Sequence, residues 1–176
     1  TFSSWYEDGN KAELSEYSLG MLNGNSKEWY ENSQLKFNFN YKDDKKDGLQ
    51  EEYLQDGTKI LETNILNNKK NGSFKKWANN GELRFSGNYK DGEMHGLQEY
   101  YEFVDENGEP NGVKSHSFEY SFSKKNGNYN KWYYDGQLNS RGNYKNGEYD
   151  GIQEVYHENG EKKIVSEYSL GVLNGK

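Results

Sequence analysis

The stretch SEYSLGMLNG, Ser15 to Gly24, reappears near the other end of the chain as SEYSLGVLNG, Ser166 to Gly175. Similar blocks recur between these two copies. Their opening glycines are Gly24, Gly48, Gly72, Gly96, Gly127, Gly151 and Gly175. Five of the six spacings are 24 residues and one is 31, which equals one unit plus an insertion of seven residues near 102–114. We therefore interpret residues 1–176 as a single array of 24-residue units. The two ends resemble each other because they lie at the same position within the repeat.

Two positions in each unit carry aromatic residues. The fifth residue after the opening glycine is Trp29, Tyr53, Trp77, Tyr101, Trp132 and Tyr156, with Trp5 in the incomplete first unit. The seventeenth, when the insertion is not counted, is Tyr41, Ile65, Tyr89, Tyr120, Tyr144 and Tyr168, with Tyr17 before them. At the eleventh position Leu35, Leu83 and Leu138 alternate with Lys59, Lys114 and Lys162. Either the array grew by duplicating pairs of units, or neighbouring units pack a large ring beside a smaller one.

Each unit contains two short runs of aromatic and alternating residues bounded by Asn, Asp and Gly. Such runs predict strands, and pairs such as Asp56-Gly57 and Asn159-Gly160 predict hairpin turns. Helix is disfavoured because nothing repeats at intervals of three and four residues. The predicted fold is all-β: an elongated single-layer antiparallel meander of repeated β-hairpins, with roughly fourteen strands.

Turn length decides which side chains share a face. A two-residue turn would place the two aromatic rows on opposite faces, whereas a three-residue turn with a bulge would place them on one. The bulged turn is favoured because a polar residue precedes every seventeenth-position residue: Glu16, Asn40, Asn64, Asn88, Glu119, Asn143 and Glu167. We therefore predict one hydrophilic face and one face of laterally packed, partly exposed rings. The second would also hold Leu49, Leu35, Phe37, Phe39, Leu83 and Phe85.

Composition excludes several classes of function. The net charge of -7 disfavours nucleic-acid binding, which requires a basic face, and opposes association with anionic membranes. Cysteine is absent, and His95, His116 and His157 lack the spacing of metal ligands. No phosphate-binding, dinucleotide-binding or nucleophile motif is present. We expect neither catalysis nor a cofactor or metal.

The stretch YKNGEYDGIQEVYHENGEKK, Tyr144 to Lys163, resembles the type-2 MORN repeat of bacterial proteins. YKDGEMHGLQEYY and YKDDKKDGLQEEYLQDGTK resemble it less completely. The resemblance implies an elongated antiparallel meander without catalytic residues. It also implies a role as an antitoxin or immunity component of a toxin system, or as an exported protein at the cell surface. Membrane association and scaffolding are linked to MORN repeats elsewhere.

The leading hypothesis is a non-catalytic scaffold that binds a protein partner, most specifically an antitoxin or immunity-type protein, for which a basic toxin is one candidate partner. The candidate contacts are Trp29, Tyr53, Trp77, Tyr101, Trp132 and Tyr156, with Asp105, Glu106 and Asn107 in the insertion. The rings could instead serve only to hold the sheet together. The alternatives are an exported structural or adhesive array that self-associates through its sheet edges and, more weakly, a lipid-binding protein. Because the chain begins at Thr1 rather than Met, we expect that an upstream segment was removed, which fits a cytoplasmic or an exported protein.

Overall fold

The computed structural model describes residues 1–104, 108 and 111–174, which form sixteen β-strands and no helix. The strands are β1 Phe2–Trp5, β2 Lys11–Ser18, β3 Met21–Trp29, β4 Leu35–Lys42, β5 Lys45–Tyr53, β6 Lys59–Leu66, β7 Lys69–Trp77, β8 Leu83–Lys90, β9 Glu93–Tyr100, β10 His116–Ser121, β11 Lys124–Trp132, β12 Leu138–Lys145, β13 Glu148–Tyr149, β14 Gly151–Tyr156, β15 Lys162–Ser169 and β16 Val172–Asn174. They form one antiparallel sheet in chain order from β1 to β16, with the short β13 beside β12. The predicted all-β antiparallel meander is confirmed.

Outside the unit with the insertion, the hairpin turns in the middle of the units are the predicted bulged three-residue turns. In the first, the Gly9 N–H donates to the Tyr6 carbonyl at 3.0 Å, and the Tyr6 N–H donates to the Asn10 carbonyl at 2.8 Å. Gly9 has a φ of 87°, a left-handed conformation that glycine adopts without a steric penalty. Ser33 takes the equivalent place in the next turn with a φ of 65°. Turn chemistry was therefore predicted correctly from the sequence.

A second bulge lies one residue beyond each turn and was not predicted. Trp29 pairs with Leu35, but the preceding residue Glu28 pairs with Phe37, so Lys36 is an extra residue on β4. The register shifts in the same way at every other fifth-position aromatic that lies in a strand: Trp5, Tyr53, Trp77, Trp132 and Tyr156. A shift of one residue moves a side chain to the opposite face of a sheet. Each fifth-position aromatic is therefore turned away from the row it was predicted to join.

The prediction that both aromatic rows share a face is consequently wrong. Tyr156 donates a hydrogen bond to Glu154 at 2.8 Å, two residues back on the same strand and therefore on the same side. Asn25 lies four residues before Trp29, and its amide contacts Asn40 of the polar row at 3.4 Å. Leu49 pairs with Asn64 on this side, while Leu35 and Leu83 pair with Trp29 and Trp77. We call this side the mixed face, because it combines the fifth-position aromatics with the polar residues.

The opposite side, the ring face, holds the seventeenth-position tyrosines and the phenylalanines of β4, β7, β8 and β10. Its rings pack against one another along the array, as lateral packing predicted. An unbroken series of contacts runs through Phe74, Phe85, Tyr100, Phe118, Tyr144, Tyr149 and Tyr168, with centroid distances of 4.7–6.5 Å. Such ring pairs stabilise a protein by about 0.5–1.5 kcal/mol each beyond their buried area. Tyr129 packs beside this series, against Phe118 and Tyr144, and its burial there raises its pKa to about 12.

Three buried glutamines interrupt the aromatic packing on the ring face. Gln50, Gln98 and Gln153 are 2%, 0% and 6% exposed. Each amide donates to a backbone carbonyl of the preceding strand: Asn40 at 2.8 Å, Asn88 at 2.7 Å and Asn143 at 3.0 Å. They belong to the GLQE and GIQE segments of the sequence. Sequence reasoning did not assign them to the core, because glutamine is usually exposed.

Candidate interaction face

The fifth-position aromatics form a row along the mixed face. Their exposure ranges from 60% at Trp5 to 9% at Tyr156. Trp29, Tyr53, Trp77, Tyr101 and Trp132 are partly exposed. Within the described residues, none of these rings stacks on another aromatic side chain. Two roles that the sequence left combined are therefore separate in the structure: the rings of the ring face pack the sheet, and the rings of the mixed face, except that of Tyr156, are partly exposed to solvent.

The tyrosine units, which open at Gly48, Gly96 and Gly151, share one arrangement on the mixed face. A glutamate at the third position pairs with the lysine at the eleventh: Glu51 with Lys59 at 2.6 Å, Glu154 with Lys162 at 2.6 Å, and Glu99 with Lys114. Lys59 also lies 5.5 Å from the centre of the Tyr53 ring. The alternation of lysine and leucine in the sequence thus has a structural cause, because lysine occurs where the glutamate requires a counter-charge.

The tryptophan units, which open at Gly24, Gly72 and Gly127, use a different arrangement. Each tryptophan pairs with the leucine at its own eleventh position: Trp29 with Leu35, Trp77 with Leu83 and Trp132 with Leu138. A lysine from the preceding unit lies over two of the indoles, Lys11 over Trp29 at 5.8 Å and Lys114 over Trp132 at 5.3 Å. The alternation of Trp and Tyr therefore accompanies an alternation of Leu and Lys at the eleventh position.

Tyrosines at the sixth position fix the spacing of this row. The Tyr6 hydroxyl donates to the Trp29 carbonyl at 2.5 Å, Tyr30 to Tyr53 at 2.9 Å, and Tyr133 to Tyr156 at 2.7 Å. Each bond joins one unit to the backbone of the next fifth-position aromatic. These hydrogen bonds hold the backbone at Trp29, Tyr53 and Tyr156 against the preceding unit. In the tyrosine units the Glu–Lys ion pairs lie on the same face as the aromatic side chain.

The mixed face contains a groove of about 820 Å³ around Trp132. Its lining includes Glu99, Lys114, Glu119, Trp132, Arg141 and Glu154. Glu119 accepts the backbone N–H of Asn128 at 3.0 Å, so its carboxylate is positioned by the strand beside it. The groove therefore combines one partly exposed indole with fixed carboxylates and two cations.

Glu154 is the most strongly perturbed carboxylate of this groove. Its hydrogen bonds from Lys162, Arg141 and Tyr156 lower its pKa from the ordinary value of 4.5 to about 2. Arg141 Nε and Lys162 Nζ both lie 2.6 Å from the carboxylate. A carboxylate held in this way stays ionised over the whole physiological range.

We expect this pKa to appear in the pH dependence of stability. Because the pKa is lower in the folded state, the contribution of Glu154 is complete above pH 4.5 and is lost as pH falls toward about 2. Glu154→Gln should lower the midpoint of urea unfolding at pH 7, and its difference from the parent should shrink toward pH 2. Urea titrations along a pH series measure this. Glu158→Gln is the matched control, since Glu158 makes no side-chain hydrogen bond or ion pair within the described residues. A difference from the parent that stays constant with pH would contradict the assignment.

The predicted site residues fall into two groups. Trp29, Tyr53, Trp77, Tyr101, Trp132 and Tyr156 all belong to the row on the mixed face, while Asp105, Glu106 and Asn107 lie outside the described residues. Sequence reasoning missed Glu51, Glu99 and Glu154. A signal was present, because a glutamate follows each glutamine in the three tyrosine units, which are also the units with a lysine at the eleventh position.

Four segments of the chain match the family model described as a MORN repeat variant: residues 22–43, 70–91, 125–146 and 149–169. These four segments are similar to that repeat, and each lies in antiparallel strands of the one sheet. A comparison with curated proteins finds no match. Among the described residues, no group of three or more His, Asp or Glu side chains could hold a metal ion. The same residues include no helix of the length and hydrophobicity that a membrane span requires.

Proposed function

We propose that the protein is a non-catalytic scaffold that binds a protein partner along the row of fifth-position aromatics on the mixed face. One observation carries the proposal: these rings lie on the side opposite the ring face, so they are not required for its aromatic packing. Partly exposed Trp and Tyr side chains are the residue types that dominate protein-binding sites. The carboxylates and lysines beside them supply the polar surroundings typical of such sites.

The most specific form of this proposal is an antitoxin or immunity function directed at a basic toxin. The net charge of -7 supports it, because an acidic surface accelerates encounter with a basic partner. A groove carboxylate such as Glu119 would meet basic side chains of that partner around Trp132. The neighbouring reading frames of the source genome are the first place to seek a candidate toxin.

We expect Tyr101→Ala with Trp132→Ala to weaken partner binding by at least about tenfold, since central aromatic contacts each contribute about 2 kcal/mol or more. The melting temperature should change little, because both rings lie on the mixed face. Titration of the purified toxin candidate into each variant, with calorimetric melting of the same samples, measures both quantities. Phe122→Ala is the matched control: Phe122 is also partly exposed, at 48%, but lies outside the row, in the turn between β10 and β11. A large melting shift with unchanged affinity of the folded fraction would refute the proposal.

A further inference from the structure

The ring face of β7–β12 differs in charge from the chain as a whole. The chain has a net charge of -7, and the carboxylates within these six strands are Glu93, Glu99 and Glu119. Each of them is adjacent in the chain to a residue of the ring face, so its side chain points to the other side of the sheet. This part of the ring face therefore has no carboxylate from its own described strands.

Lysines occupy the same surface at equivalent places in two units. Lys76 on β7 pairs with Phe85, and Lys131 on β11 pairs with His116, whose ring stacks on Tyr100 at 4.4 Å. The other two are Lys70 on β7 and Lys125 on β11. Because β7 and β11 are four strands apart, the lysines border an aromatic area of about 20 Å by 20 Å.

Lys70 and Lys125 lie among the rings without a counter-charge. Lys70 Nζ is 3.9 Å from the centre of the Phe74 ring, and Lys125 Nζ is 3.7 Å from that of Phe118. Burial lowers the pKa of both lysines. Neither has an ion-pair partner within the described residues, and the same holds for the two lysines at the opposite border. A partly buried cation without a counter-charge is unfavourable, so an anionic group brought to this surface would stabilise it.

We propose that the ring face of β7–β12 binds an acidic peptide segment of a partner protein, in which carboxylates alternate with apolar side chains. The carboxylates pair with the lysines at the borders. The apolar side chains cover the partly exposed rings between them, such as Tyr89, Tyr100 and Tyr120. An area of about 400 Å² suits a short segment better than a folded protein, whose interface takes about 800 Å² from each partner. The mixed face lies on the other side of the sheet, so the two surfaces can be occupied together.

A single-stranded nucleic acid fits this surface less well than an acidic peptide. Such a ligand requires aromatic rings whose faces are free for bases to stack on. Here lysine ammonium groups lie over Phe74 and Phe118, and the rings of Tyr100 and His116 stack on each other. Glutamate carboxylates and apolar side chains need no free ring face, because they contact the ammonium groups and the ring edges.

A synthetic peptide of alternating glutamate and phenylalanine tests the proposal. About six such residues span about 20 Å when extended, which matches the distance between the two borders of lysines. The fluorescence anisotropy of the labelled peptide should rise as the intact chain is added. The affinity should fall as salt is raised, because salt screens ion pairs near the surface. A peptide of alternating lysine and phenylalanine should not bind.

Lys76→Glu with Lys131→Glu should weaken peptide binding by at least about tenfold, because like charges then face each other. Both lysines are exposed, and circular dichroism checks that the variant is folded. Lys69→Glu with Lys124→Glu is the matched control. It makes the same change in net charge on the same two strands, but these side chains are adjacent to Lys70 and Lys125 and point to the other side of the sheet.

Several results would overturn the proposal. The first is an unchanged anisotropy of the glutamate–phenylalanine peptide, and the second is equal weakening by the two pairs of lysine substitutions. Tighter binding of an oligothymidylate or of phosphatidylserine vesicles than of the peptide would assign the surface to nucleic acid or to lipid instead. Tyr101→Ala with Trp132→Ala should leave peptide binding unchanged, because both rings lie on the mixed face. The two surfaces can therefore fail or succeed independently.

Discussion

Phe118→Ala should lower the free energy of unfolding by about 3–5 kcal/mol, the usual cost of removing a buried phenylalanine. Phe118 is only 7% exposed. Its ring lies 6.0 Å from Tyr129 and 6.1 Å from Tyr144, and the Lys125 ammonium lies 3.7 Å from its centre. Removing it interrupts the series of rings at the point where β10, β11 and β12 meet. No other strand can supply a ring there, because a single-layer sheet has no second layer behind its face.

Phe122→Ala is the matched control for this prediction. Phe122 is 48% exposed, and its only aromatic contact within the described residues is His95 at 4.9 Å. We expect its cost to be below about 1 kcal/mol, as is common for exposed sites. Urea unfolding measures both variants. Amide hydrogen exchange should show the loss of protection concentrated in β10–β12, because contacts in repeat arrays join only neighbouring units. Equal losses for the two variants would show that the ring face does not support the sheet.

Gly142→Ala should cost about 1–3 kcal/mol, the usual range for adding a methyl group to a packed interior. A Cβ built on Gly142 would lie 1.8 Å from Gln153 Oε1 and 2.9 Å from the Tyr129 ring. Gly142 does not have a positive φ, so crowding alone opposes the side chain. Gln153 has little freedom to move, because its amide donates to the Asn143 carbonyl at 3.0 Å. The midpoint of urea unfolding measures the loss.

A double-mutant cycle separates crowding from the intrinsic preferences of glycine and alanine. In a Gln153→Ala background the Oε1 atom is gone, so Gly142→Ala should cost markedly less than in the parent. The coupling between two residues in contact is typically about 0.5–3 kcal/mol. Identical costs of Gly142→Ala in the two backgrounds would contradict the close packing of Gln153 against this glycine.

Much of the fold followed from local sequence signals. The spacing of the glycines, the Asx-Gly turns and the recurring aromatics predicted a hairpin meander, because turn chemistry and strand length act within a few residues. Even the bulge at each turn was predictable, since the preference for glycine at a positive φ is local. The face on which the candidate site lies was not predictable. It depends on the bulge at Trp29, and that bulge is set by which residues of β4 pair with β3.

The sequence by itself determined the phase of the array, its hairpin turns, and the rows of aromatic and polar residues. It also recorded the alternation of Leu35 with Lys59 without revealing its cause. Only the tertiary structure decided that Trp132 lies on the same face as Glu154 and on the opposite face from Tyr144. It also decided that the Gln153 side chain is buried. The physical reason is that the side-chain direction in a strand reverses with every residue. One extra residue in each hairpin therefore moves a whole row to the other face, and only the pairing between strands records that residue.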